Sequence, residues 1–132
     1  MCAPMDVLDP RALDSLLALI GGGTAGLRRV ASTFVEETGA IVRDMRLAAD
    51  AGDVPALHRG AHTVRTAARY VGAGRLERLA SELEAFASDA TACRGPAWSL
   101  RATGSVEAIG AAFEEACRAL ESRMEAERDA TG

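Results

Sequence analysis

The chain has 132 residues, 48% of them hydrophobic and 26% charged, with a formal net charge of −4, which is the size and balance of one globular domain. That charge favours neither nucleic acid nor an acidic membrane surface, and no stretch approaches the ~20 apolar residues that span a bilayer. Cys2, Cys93 and Cys117 are odd in number, widely spaced and without a CxxC, which argues against a disulfide framework or a zinc ribbon. Aromatic residues are only 4%, so the core must be aliphatic and rich in Ala. The opening Met1 to Asp6 has neither a basic start nor an apolar run, so a cytoplasmic module is expected.

Residues 1–7 read as a disordered tail. Asp9-Pro10 then reads as a helix start, a capping side chain followed by Pro at the first position. Leu13, Leu16, Leu17 and Ile20 recur at helical spacing until Gly21-Gly22-Gly23 ends this short helix. Thr24 is expected to cap a second helix over roughly residues 24–50, on the stripe Leu27, Val30, Phe34, Ile41, Val42 and Met45. The stripe continues through Gly39, so one helix is expected, ended by Ala51-Gly52. Asp53 can cap a third helix, with Pro55 in its first turn and Leu57, Ala61, Val64, Ala68 and Val71 as its apolar face.

Gly72 and Gly74 close that helix within a very short turn, so the next helix is an antiparallel neighbour. It carries Leu76, Leu79, Leu83, Phe86 and Ala90 on one side, with Glu77, Glu82, Glu84 and Asp89 mostly on the other, until Gly95-Pro96. The last helix has Val106, Ile109, Phe113, Cys117, Leu120 and Met124 at steps of three and four, with Ser99 a candidate cap and Gly104 a weak point near its start. Cys117 reads as a small buried hydrophobe and Trp98 as a lid on the bundle end. Residues 125–132 are polar and expected to fray. No segment alternates with period two. The expected fold is all-α: an antiparallel up-and-down four-helix bundle over residues 8–124, with a short additional N-terminal helix.

One stripe of the third helix carries chemistry. At about 100° per residue, and taking His62 as zero, Arg69 lies about 20° away, His58 and Thr66 about 40°, and Arg65 about 60°. All lie off the apolar face. A neutral imidazole is nucleophilic near neutral pH, and guanidinium groups beside it disfavour imidazolium and neutralise phosphoryl oxygens. An exposed ring also lets a partner's carboxylate approach in line. The same spacing describes an ordinary solvated helix face, and geometry alone does not separate the two. Arg59 reads either as part of a partner-binding basic patch or as a plain surface residue. His58 and His62 have the spacing of a helical metal pair, but Arg59-Gly60-Ala61 between them lacks the glutamate of HExxH and neighbouring Arg repels a cation, so no metal is expected.

The run Ala61-His62-Thr63-Val64-Arg65-Thr66-Ala67-Ala68-Arg69-Tyr70-Val71-Gly72-Ala73 resembles the core of HPt domains, the histidine-containing phosphotransfer modules of multistep two-component phosphorelays. Their pattern reads roughly A-H-x-L-K-G-x-x-x-x-x-G-A. Leu8-Asp9-Pro10, Phe34-Val35-Glu36-Glu37, Ala51-Gly52-Asp53 and the run from Leu76 to Glu84 are also similar to the family in place and spacing. The resemblance implies that His62 accepts a phosphoryl group from a receiver-domain aspartate and passes it to another receiver. Arg65, Arg69, Thr66, His58 and Arg59 would then flank the phosphoryl group or the partner. It further implies response-regulator receivers and a hybrid sensor histidine kinase as partners, a monomer, and neither a nucleotide site nor autokinase activity. It implies no cofactor, any Mg²⁺ belonging to the receiver.

Thr66 departs from the pattern, which has Gly one turn after the histidine, where it leaves open space beside the ring. A Thr there either crowds the ring or turns its hydroxyl to the ring or to a phosphoryl oxygen. The alternative reading is therefore a degenerate bundle that docks a receiver or kinase without transfer.

Overall fold

Asp9 starts the first helix as expected: its carboxylate accepts from the Arg11 backbone N–H at 3.0 Å, and Pro10 occupies the first turn of α1 (Pro10–Ile20). A computed structural model describes residues 7–89 and 95–131. Cys2, Cys93, Ala90 and the tail over residues 1–6 lie outside them. α2 spans residues 23–51, in the α-helical stretches Gly23–Thr33 and Gly39–Ala51 joined by a π-helical turn, Phe34–Thr38. α3 is Val54–Val71, α4 Gly74–Ser88 and α5 Pro96–Thr131. The described residues contain no strand.

Several sequence expectations change in detail. Thr24 does not cap α2, which begins at Gly23 after Gly22 with no side-chain cap bond. Ser99 lies inside α5, because Pro96 already serves at its first position. The polar stretch 125–131 continues that helix. The π turn is the larger surprise. It lies just before Gly39, where the Phe113 ring packs against the helix, 3.4 Å from where a Cβ would be. Phe34 and Phe113 then meet with ring centroids 5.3 Å apart. Phe34 and Thr38 of this turn are both buried.

α2 to α5 pack in cyclic order, each against two neighbours, and α1 lies across α2 and α3. The buried stripes are Leu27, Ala31, Phe34, Val42 and Met45 of α2; Leu57, Ala61, Val64 and Ala68 of α3; Leu76, Ala80 and Leu83 of α4; and Ala102, Val106, Ile109, Ala116 and Leu120 of α5. Each fully buried Leu among them stabilises the fold by roughly 2 kcal/mol. The many Ala residues let the helices approach closely. Trp98 is buried and stacks on Phe86 at 5.5 Å between centroids, closing the α4–α5 end. Cys117 is half-buried, and burial, reinforced by Glu114 and opposed by Arg118, pushes its thiol up from the ordinary range.

Gly72 fixes the α3–α4 turn. Its φ of +78° favours glycine, and its carbonyl accepts from the Asp9 N–H at 2.7 Å, tying the start of α1 to the turn. A Cβ at Gly72 would lie 2.7 Å from the Asp9 carbonyl oxygen. The hairpin register is thereby locked around Ala73, and that register decides which side chains of α3 and α4 stand level with each other.

Candidate functional site

Five consecutive elements of the apolar stripe on α3 are buried, which turns the opposite edge of the helix outward. His62 stands on that edge with its side chain 53% exposed. Ala73 is the centre of the hairpin, and His62 lies as many residues before it as Glu84 lies after it. The two side chains meet: His62 Nδ1 is 2.8 Å from Glu84 Oε2. Arg65 completes the group. Its Nε donates to Glu84 Oε1 at 3.0 Å, and its Nη2 lies 3.2 Å from His62 Nδ1. His58 Nε2 lies 3.9 Å from the same Glu84 Oε2.

A carboxylate only accepts, so the 2.8 Å contact needs a proton on His62 Nδ1. With Nδ1 so occupied Arg65 does not donate to it, and its Nε holds the other oxygen of Glu84. Nε2 is left with its lone pair, on a ring more than half exposed. Glu84 itself is only 17% exposed, which strengthens its hydrogen bonds relative to those of a surface carboxylate. The arrangement orients the ring, with Nδ1 against the Glu84 carboxylate and the other nitrogen outward.

The structure separates the residues that spacing grouped together. His58, His62 and Arg65 converge on Glu84. Arg69 is drawn instead to Glu77, its Nε donating to Oε2 at 2.9 Å. Thr66 turns its hydroxyl back to the His62 carbonyl oxygen at 3.2 Å, so it bonds the helix backbone and not the ring. Arg59 lies on the other flank of α3, lining a surface hollow of about 380 Å³ with Ile41, Asp44 and Met45. Among the described residues no group of His, Cys, Asp and Glu is arranged to hold a metal ion, and at the two histidines Arg65 occupies the second oxygen of Glu84.

Two features escape a reading of helix faces alone. Glu84 falls on the polar side of α4, and only the register of the hairpin brings it to His62. The signal was present: a turn centred on Ala73 makes 62 and 84 level, as it does 69 and 77. The second feature is an apolar groove of about 530 Å³ on the α1–α2 side of α3, formed by Leu16 and Ile20 of α1, Val30 and Phe34 of α2, and Thr63, Ala67 and Tyr70 of α3. Thr63 is the immediate neighbour of His62. Tyr70 is 59% exposed at the groove's rim.

Among the described residues no helix is long and apolar enough to cross a membrane. A family model described as "Hpt domain" matches residues 29–131. No individual curated protein and no solved structure gave a significant match.

Proposed function

The chain belongs to the Hpt domain family, whose members are phosphotransfer carriers that interact with receiver domains, and from that premise we propose that it carries the phosphoryl group on Nε2 of His62. The observation that supports this most is the bond from His62 Nδ1–H to Glu84, which leaves an exposed lone pair on the outward nitrogen. In the proposed step, Nε2 attacks the phosphorus of a receiver's aspartyl phosphate. The N–P bond forms, the P–O bond to the aspartate breaks, and the carboxylate leaves as an anion. The ring keeps its Nδ1 proton and so becomes positive. Glu84 offsets that charge, as an acid partner of a histidine does in other nucleophilic sites. Arg65 lies close enough to balance the phosphoryl oxygens while holding Glu84. Transfer to a second receiver runs the same step backwards.

No base is required, because the neutral ring has its lone pair already, and any Mg²⁺ requirement is assigned to the receiver. The apolar groove that Thr63, Ala67 and Tyr70 line with α1 and α2 is the proposed seat for an apolar helix of that receiver, since it lies on the α1–α2 side of the helix that carries His62. A cytoplasmic monomer fits the reading, because one chain already supplies all four bundle helices. Arg69 and Arg59 are left to encounter with the partner, not to the reacting group.

Thr66 bears on the alternative, a bundle that docks without transfer. Its hydroxyl is engaged with the backbone, so it does not cap the ring, and this favours a competent carrier. Incubation with a phosphorylated cognate receiver checks the assignment. The chain should gain acid-labile, base-stable phosphate, and His62→Gln should lose it by at least about 100-fold. Equal labelling of wild type and His62→Gln would remove His62 from the role, and receiver binding without any label would favour docking alone.

A further inference from the structure

His58 plays no part in the transfer step above, yet it stands one turn before His62 on the same face of α3. Its Nε2 lies 3.9 Å from Glu84 Oε2, the oxygen that also accepts from His62 Nδ1 at 2.8 Å. The other oxygen is held by Arg65 at 3.0 Å. One oxygen of a largely buried carboxylate therefore has two imidazole claimants, both with substantial access to water: His58 is 40% exposed and His62 53%.

We propose that His58 is a positioning residue for the carrier, competing with His62 for Glu84 Oε2 and so governing how firmly the His62 ring is held with Nε2 outward. The proposal rests on reading His62 as the phosphocarrier. A neutral His58 with its proton on Nδ1 turns only a lone pair toward the carboxylate and leaves Glu84 to His62. A protonated His58 carries an N–H on Nε2 and donates to the same oxygen. It then draws the carboxylate toward itself and offsets its charge, so proton uptake by one ring opposes proton uptake by the other.

The charges facing the pair are few. α3 contributes Arg65 and, further along, Arg69. α4 contributes Glu84 and Glu77, and Glu77 is bound to Arg69. α2 presents Asp44 on the other flank, in the hollow with Arg59. In α1 and at its cap, Asp9 meets Arg11 and Asp14 meets Arg123. The carboxylate within reach of both rings is Glu84.

Long-range ¹H–¹⁵N spectra of the full chain, recorded across pH, read the proton and tautomer of each ring separately. The His62 nitrogens of the wild type should follow two inflections, one coincident with His58. In His58→Gln a single one-proton curve should remain, and the acidic limb of phosphoryl acceptance from a receiver should sharpen from broader than one proton to one proton. Glu84→Gln, with both histidines intact, should give two independent one-proton curves. If the His62 curve is the same in wild type and His58→Gln, or stays biphasic in Glu84→Gln, the competition is absent and the proposal fails. These spectra need no receiver, so they fail or succeed separately from the carrier reading. Absence of label on His62 would instead overturn the carrier reading, and His58's role with it.

Discussion

Two levels of the α3–α4 hairpin obey the same geometry and differ in chemistry. Near the turn, Arg69 meets Glu77 four residues either side of Ala73; further up, His62 meets Glu84 at the matching positions. Both are cross-helix pairs of a basic side chain with a carboxylate. The lower pair is 70% exposed on its Arg side and is an ordinary surface ion pair. In the upper pair the basic group has a second nitrogen, the carboxylate is more buried, and Arg65 takes the carboxylate's spare oxygen. On the proposed reading, a helix hairpin carries a reactive group where the residue paired across it satisfies the carboxylate and still keeps a lone pair for a partner.

The comparison is broken most severely at Glu84. Glu84→Gln should lower phosphoryl acceptance about 10- to 100-fold, because the ring loses both its orientation and the anion that offsets its charge. Receiver affinity should change far less, which a binding titration beside the transfer assay would show. A Glu84→Gln carrier as fast as wild type would reduce the upper pair to the status of the lower one.

Gly72→Ala acts on both levels, by straining the turn that sets their register. A side chain at positive φ, pressed against the Asp9 backbone, should cost about 2 kcal/mol and lower Tm by roughly 5 to 10 °C in thermal denaturation. Thr66→Gly sharpens the upper level alone. Replacing the β-branched side chain one turn from the ring should speed transfer a few-fold, while the helix loses about 0.3 kcal/mol of stability by propensity. The smallest effect belongs to Glu77→Gln. It should cost about 0.5 kcal/mol or less and leave acceptance within about twofold of wild type, since an exposed ion pair contributes little.

Much of this was legible in residue order. Stripes such as Leu57, Ala61, Val64 and Ala68 mark one buried face per helix, and four such faces admit few arrangements other than a bundle. The same stripe on α3 places His62, Arg65 and His58 outside. Glu84 was not legible from its own helix, because its face is polar and its role comes from the register across Gly72-Ala73-Gly74. The π turn at Phe34–Thr38 was hidden for another reason: a step of seven from Phe34 to Ile41 fits an unbroken α-helix, and only the packing of Phe34 and Phe113 around Gly39 reveals the wider turn. The direction of the Thr66 hydroxyl was not legible, because spacing places the side chain near the ring but says nothing of its rotamer, and the hydroxyl turns back to the His62 carbonyl.

The pairing of His62 with Glu84 makes a claim about a single atom. A ³¹P–¹⁵N correlation spectrum of the chain, phosphorylated by a receiver and held at alkaline pH, locates the new bond directly. Phosphorus coupled to Nε2 of His62, with Nδ1 still protonated, is the predicted result. Phosphorus on Nδ1 of His62, or on either nitrogen of His58, would contradict it.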